Sequence, residues 1–332
     1  MLKNFGKGRN ASPEKSVQYG YSPSPSPSRS PSISAPITGP ARPIRFVYCD
    51  DKGKFRMDPA AVAALQLVKE PIGVVSVCCR ARQGKSFILN QLLGRSSGFQ
   101  VASTQRPCTK GLWLWSAPLK RTALDGTEYN LLLLDSEGIE SYDQTMGGLD
   151  ETAFQHLSLV THMTKHIRVR ASEGRTSAPE MGQFSPIFVF LLRDFYLDLV
   201  EENRRITPRD YMELFLMPVQ GNGEGIASKN EIRDSIRALF PDRECCSLAR
   251  PLDNENDLRR LDQISLDELR PEFRSGLDAL TKFVFERTRP KQVGSTVMTG
   301  PVLIGITESY LDALNKGAVP TISSLWQIWM TS

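Results

Sequence analysis

Val77-Cys78-Cys79-Arg80-Ala81-Arg82-Gln83-Gly84-Lys85-Ser86 is the stretch that decides the fold. It closes an apolar run, Pro71–Val77, and opens an amphipathic segment, Ser86–Leu93. Strand, tight loop and helix in that order are the context of a phosphate-binding loop. In such a loop backbone N–H groups wrap the phosphates, a Lys ammonium reaches the β/γ oxygens and a Ser hydroxyl ligates Mg²⁺. The usual spacing is G-x-x-x-x-G-K-[ST], and the first Gly position here is Cys79.

Outward from this loop the chain alternates strand and helix patterns. Ile44–Cys49, Ile72–Val77, Leu112–Trp115, Tyr129–Leu134 and Ile187–Leu192 read as strands. The nearly continuous apolar runs among them suit parallel strands buried on both faces. Helical patterns cover Asp58–Leu67, Pro208–Phe215, Lys229–Leu239, Asp267–Arg287 and Gly300–Leu314. The alternation predicts a doubly wound α/β domain with its ligand at the C-terminal ends of the strands.

The chain has 332 residues, 40% of them hydrophobic, enough for one large α/β domain with extensions. A net charge of +4 is too mild to argue for nucleic acid or a membrane surface. The six cysteines form no C-x-x-C pair, which makes a poor disulfide framework and a poor zinc site and fits a reducing compartment. No signal peptide or membrane-spanning run is read. The expected location is the cytoplasm, or the nucleus. Residues 1–44 are rich in Ser, Pro, Gly and basic residues and have almost no large apolar side chains, so they read as a disordered arm. Its repeated Ser-Pro units are candidate sites for proline-directed kinases, against a plain solvated tail.

Three further elements accompany the phosphate loop. Asp135, at the end of a buried run and followed by Ser136-Glu137-Gly138, can hold the Mg²⁺ shell, and the Gly138 N–H can meet a γ-phosphate. Thr109, in Arg106-Pro107-Cys108-Thr109-Lys110-Gly111, stands where a mobile switch ligates Mg²⁺. Arg193-Asp194 ends another strand; a carboxylate there can accept two N–H donors from guanine, a pair adenine cannot supply. The histidines His156, His162 and His166 fall in one helical stretch without carboxylates or thiols at ligand spacing, so a metal role is set aside. Trp113 and Trp115 are expected to pack in a strand, and Asp234 and Arg237 to pair on a helix surface.

Taken in order, the phosphate loop, Thr109-Lys110-Gly111-Leu112-Trp113-Leu114-Trp115, Asp135-Ser136-Glu137-Gly138, Leu191-Leu192-Arg193-Asp194-Phe195, and Phe240–Cys245 with Arg250-Pro251 resemble the guanylate-binding-protein family. These are large GTPases of the dynamin superfamily, and the chain is most similar to plant members over residues 43–320. The resemblance implies a P-loop GTPase domain at 45–316, with GTP as substrate and Mg²⁺ as cofactor. Lys85 and Ser86 would bind phosphates and metal, with Gly84 beside them. Arg82 would be the internal arginine finger that stabilises transition-state charge. Thr109 would be the switch Mg²⁺ ligand. Asp135, Glu137 and Gly138 would form the second switch, Arg193 and Asp194 would read guanine, and the segment around Asp242-Arg243 would lie near the loop that caps the base. Family members pair through their GTPase domains when loaded with nucleotide, and they often act in immune defence.

The chain departs from that pattern in three places. Cys79 replaces a Gly, where a β-carbon costs about 1–2 kcal/mol if the backbone is left-handed. Pro107 stands where animal members carry a Ser that helps place the attacking water. After Thr145 the sequence runs straight into Met146-Gly147-Gly148-Leu149-Asp150, and no strand-like run is found between Ile139 and Pro186. The strand expected there lies between the phosphate-loop strand and the Arg193-Asp194 strand. Its loss would be comparable to a domain's whole stability of about 5–15 kcal/mol. Residues 317–332 are expected to be a truncated tail where the family's helical region begins. Two functions stand beside each other: an active Mg²⁺-dependent GTPase, or a catalytically impaired relative that acts as an interaction or regulatory protein or is a non-functional splice form.

Overall fold

In the computed structural model, residues 40–78, 84–101, 111–136, 186–195, 198–221, 224–258, 260–293 and 296–317 are described. Strand β3 (Ile72–Val77) pairs in parallel with β6 (Glu128–Ser136), in a register that runs from Ile72 opposite Asn130 to Val77 opposite Asp135. The end of the phosphate-loop strand therefore lies beside the carboxylate at the end of β6.

Two short strands flank the other edge of β6, both antiparallel: β4 (Leu112–Trp115) near its end and β5 (Leu119–Thr122) near its start. β4 also pairs antiparallel with β1 (Pro43–Cys49), which forms a hairpin with β2 (Phe55–Met57). The expectation of parallel strands thus fails for β4. Only a short connection carries the chain through β5 into β6, and a parallel return needs a crossover of a dozen residues or more. The resulting sheet has the order β2-β1-β4-β6-β3, with β5 off that path against β6.

β6 shows why an unbroken apolar run suits a central strand. Leu132 belongs to a core formed with Ile72, Leu114 and the helices α1 (Pro59–Gln66) and α7 (Gly300–Asn315). Its alternate neighbours Leu131 and Leu133 belong to a second core with Leu89 and Leu92 of α2 (Lys85–Leu92), Phe99 and Trp115. Helices thus cover both faces of β6, in a mixed α/β arrangement. Trp115 is buried and tilted against Phe99 at a ring separation of 5.7 Å, so the tryptophan pair serves packing as expected.

A separate parallel pair joins β7 (Phe188–Arg193) to β10 (Arg243–Leu248); the short hairpin of β8 (Val200–Glu201) and β9 (Arg204–Arg205) lies between them in sequence, and the one-turn helix α5 (Glu255–Leu258) follows. Leu192 and Cys245 pack on α3 (Pro208–Phe215) and α4 (Glu224–Leu239), while Val189, Leu191 and Leu248 pack on α6 (Pro271–Arg287) and on Phe87 and Ile88 of α2. Helix α2 thus packs against both sheets: Leu89 and Leu92 face one, Phe87 and Ile88 the other. Among the described residues, no strand joins β3 to β7. The stretch in which the missing strand was expected, 139–185, lies outside the described residues, as do the arm 1–39 and the tail 318–332.

Local chemistry sets the helix ends. Asp58 caps α1 by accepting from the Ala60 N–H at 3.0 Å, with Pro59 in the first turn. Thr207 and Asp210 make a reciprocal capping box on α3. Pro271 divides the single helix expected over Asp267–Arg287 into a short 3₁₀ turn, Leu266–Glu268, and α6. Asp234 and Arg237 form the surface ion pair expected on α4.

Candidate functional site

Helix α2 is opened by a residue that only glycine suits. Gly84 has φ 71°, in the left-handed region, and α2 has no side-chain cap. A β-carbon at Gly84 would lie 2.4 Å from Nη1 of Arg193. This close approach places the Arg193 guanidinium, from the C-terminal end of β7, over the backbone that opens α2. Residues far apart in sequence thereby converge on one point.

Lys85 is the first residue of α2 and is 7% exposed. A lysine is seldom this buried unless its ammonium is paired. Next to it, the Ser86 hydroxyl donates a hydrogen bond to Oδ2 of Asp135 at 2.6 Å. Asp135 is 1% exposed. Ser136 fixes the same corner, its hydroxyl donating to the Val77 carbonyl at 2.8 Å and tying the end of β6 to the end of β3. Serine oxygen and carboxylate are hard donors, the type Mg²⁺ prefers, and because Ser86 donates its proton to Asp135 its lone pairs remain for a cation. Among the described residues no group of three or more His, Cys, Asp and Glu could hold a metal.

Asp194 follows Arg193 at the end of β7 with φ 53°. A left-handed non-glycine is uncommon, though Asp tolerates it better than most, and such conformations cluster at functional sites. The structure therefore brings together Gly84, Lys85, Ser86, Asp135 and Arg193, with Asp194 adjoining. Arg82, Thr109, Glu137, Gly138, Cys79, Pro107 and the three histidines lie outside the described residues.

One expectation is overturned. Asp242 and Arg243 lie at the end of the β7–β10 pair opposite Arg193 and Asp194, away from this site. Arg243 pairs with Phe188 at the N-terminal end of β7, and Leu248 is the residue opposite Arg193. Arg243 is engaged in structure, donating to Glu213 at 2.7 Å and to the Phe240 carbonyl at 3.0 Å. The sequence hid this because Arg243-Glu244-Cys245-Cys246-Ser247-Leu248 is too polar to read as a buried strand. The Phe195 N–H donates to the Leu248 carbonyl, so the segment beside Arg193-Asp194 is the one that leads into Arg250-Pro251.

Two supporting roles went unread in the sequence. Asn90 is 1% exposed; its Oδ1 accepts from the Phe99 N–H at 2.7 Å and its Nδ2 donates to the Phe99 carbonyl at 3.0 Å. It clamps the chain leaving α2 back onto the helix, and its signal was a lone amide among Phe87, Ile88, Leu89 and Leu92. Gly111 has φ 77°, and a β-carbon there would lie 2.3 Å from the Val47 carbonyl oxygen. The register of β1 shifts between Arg45 and Val47, next to this contact.

The family model described as Guanylate-binding protein, N-terminal domain, matches residues 52–147 and 141–293. Human guanylate-binding protein 2 is 29% identical over 300 residues, covering 82% of this chain and 50% of the relative. Mouse guanylate-binding protein 6 is 30% identical over 289 residues, covering 79% and 47%. Guanylate-binding protein 6 of Pongo abelii is 28% identical over 291 residues, covering 80% and 45%. The chain thus spans about half the length of the curated relatives it matches.

Proposed function

The chain belongs to the guanylate-binding protein family through its N-terminal domain, and from that premise we propose that it binds GTP and hydrolyses it with Mg²⁺. The observation that carries this reading is the convergence of Lys85, Ser86–Asp135 and the Arg193 guanidinium on the turn at Gly84. The α2 N-terminus supplies backbone N–H groups and the positive end of the helix dipole to the phosphates. Lys85 offsets the charge of the β- and γ-phosphate oxygens. Ser86 and Asp135 hold the metal, which when bound neutralises charge developing on the transferred group. Asp194 accepts the two guanine N–H donors. Arg82, Thr109, Glu137 and Gly138 are assigned by resemblance to transition-state charge, the metal and the second switch. Pairing of two GTP-loaded domains is proposed on the same basis.

A second reading is binding with impaired turnover. It is favoured by Cys79 and Pro107, and by a family match in two pieces that meet at residues 141–147, where the sequence departs from the family pattern. Among the described residues, no helix is long and apolar enough to cross a membrane.

The test is titration of a fluorescent GTP analogue into the purified chain and into Lys85→Ala. Saturable binding lost in the variant supports both readings, and GTP turnover then separates them. Equal, negligible binding by both proteins overturns both.

A further inference from the structure

A cavity of about 690 Å³ opens between the β5–β6 hairpin and the C-terminal end of α6. Lys120, Arg121, Lys282 and Arg289 line it, against Glu128 and Glu286. It lies at the start of β6, whereas Asp135 is near its end. At ~3.3 Å per residue those positions are about 23 Å apart, so the cavity is distinct from the nucleotide site.

The four cations are not equivalent. Lys120 is paired with Glu70 at 2.5 Å, and Lys282 with Glu286 at 3.9 Å. Among the described residues neither arginine is ion-paired to a carboxylate, although Arg289 is near enough to Asp125 to help hold that carboxyl below its usual range. Arg121 lies 3.6 Å over the Phe285 ring, with its Nε buried and without a hydrogen-bond partner. Among the described residues, Arg289 donates to the backbone carbonyls of Glu286 and Thr288. Both guanidiniums are close enough to Tyr129 to oppose the upward push of burial on its hydroxyl. Two arginine forks border one region, and the buried Nε of Arg121 is a donor that costs free energy while it stays unpaired, which an anion entering the cavity would relieve.

We propose that this cavity is a second anion site, which takes the phosphate monoester of a small ligand. A phosphate dianion matches two guanidiniums in charge, and its three terminal oxygens can accept from both forks, whereas a carboxylate satisfies one. The cavity is larger than a bare phosphate and within the range of small-molecule sites, so the phosphate carries an organic body. Leu124, which is 79% exposed at the hairpin tip, and the Phe285 ring offer that body apolar contact. A soluble phosphorylated metabolite and a phospholipid headgroup share this chemistry.

The test uses the full chain with two probes, a soluble inositol trisphosphate and phosphatidylcholine vesicles with or without phosphatidylinositol bisphosphate. Calorimetry and vesicle co-sedimentation are run on wild type, Lys85→Ala, Arg289→Gln and Arg121→Gln/Arg289→Gln. Binding is expected to survive Lys85→Ala and to weaken with added salt. It should fall about tenfold in Arg289→Gln and about a hundredfold in the double variant, one charge-assisted contact for each factor of ten. Saturation by the soluble probe identifies a free ligand, and binding only to charged vesicles identifies a headgroup. Arg289 is exposed, so its variant keeps the fold even if loss of the Arg121–Phe285 stack lowers the melting temperature of the double variant. Binding that disappears with Lys85→Ala and persists without the arginines overturns the proposal. So does an absence of binding to either probe.

Discussion

Replacing Asp194 with Asn tests the proposed guanine contact with little disturbance of the fold. Asp194 stands at φ 53°, a conformation that both Asp and Asn adopt more readily than other side chains. The change is isosteric and lies at a strand end, so the melting temperature should move by less than about 2 °C. In the proposed contact the carboxylate accepts two N–H donors from guanine, and hydrogen bonds to a charged group are worth about 1.5–3 kcal/mol each. Asn keeps one acceptor and turns a donor toward the other guanine N–H. The loss is therefore about 2–4 kcal/mol, a rise in Kd of about 30- to 1,000-fold. Xanthine carries a carbonyl where guanine carries its amino group, so the same variant should gain affinity for a xanthosine nucleotide. The assay is competition of GTP and xanthosine triphosphate against a fluorescent analogue, with melting curves recorded on the same samples. If Asp194→Asn binds GTP within threefold of wild type at an unchanged melting temperature, Asp194 does not read the base.

Three further outcomes follow from the geometry. Gly84→Ala should cost about 1–2 kcal/mol for its left-handed backbone, displace the Arg193 guanidinium and weaken GTP-analogue binding, which titration and thermal melting would measure together. Gly300→Ala should lower the melting temperature by several degrees while leaving nucleotide affinity unchanged, because its β-carbon would fall 1.9 Å from the Leu65 carbonyl oxygen where α7 meets α1. Burial pushes the thiols of Cys245 and Cys246 up from 9.0 to about 12 and about 11. They should resist maleimide at pH 7.5 while exposed Cys49 and Cys78 react. The folded state holds these protons more tightly, so stability is intact below pH 9 and declines as pH rises from there toward 11, as a pH series of urea melts would show.

The parts of the fold that were legible in sequence are those in which a local pattern and its burial agree. β3 and α3 begin and end where the apolar run and the Pro208 start placed them, and the four leucines of β6 serve two cores by strict alternation. β10 was hidden because parallel pairing beside β7 is a long-range event, and its Arg243 and Glu244 are satisfied by side chains from α3. The direction of β4 was set by a short connection and not by its own composition. At the candidate site, Gly84, Lys85, Ser86 and Asp135 were singled out because a phosphate loop calls for those residue types at that spacing, and the structure brings them together. Asn90 and the approach of Arg193 to Gly84 were not, since no spacing rule links residues that meet only after two sheets have packed on α2.

The most direct measurement is isothermal titration of the purified chain with a non-hydrolysable GTP analogue, with and without Mg²⁺, and with the matching ATP analogue as competitor. One saturable site that is strengthened by Mg²⁺ and untouched by the ATP analogue is the predicted result. No binding, or equal competition by the ATP analogue, would contradict a guanine-nucleotide site built on Gly84, Lys85, Ser86, Asp135 and Asp194.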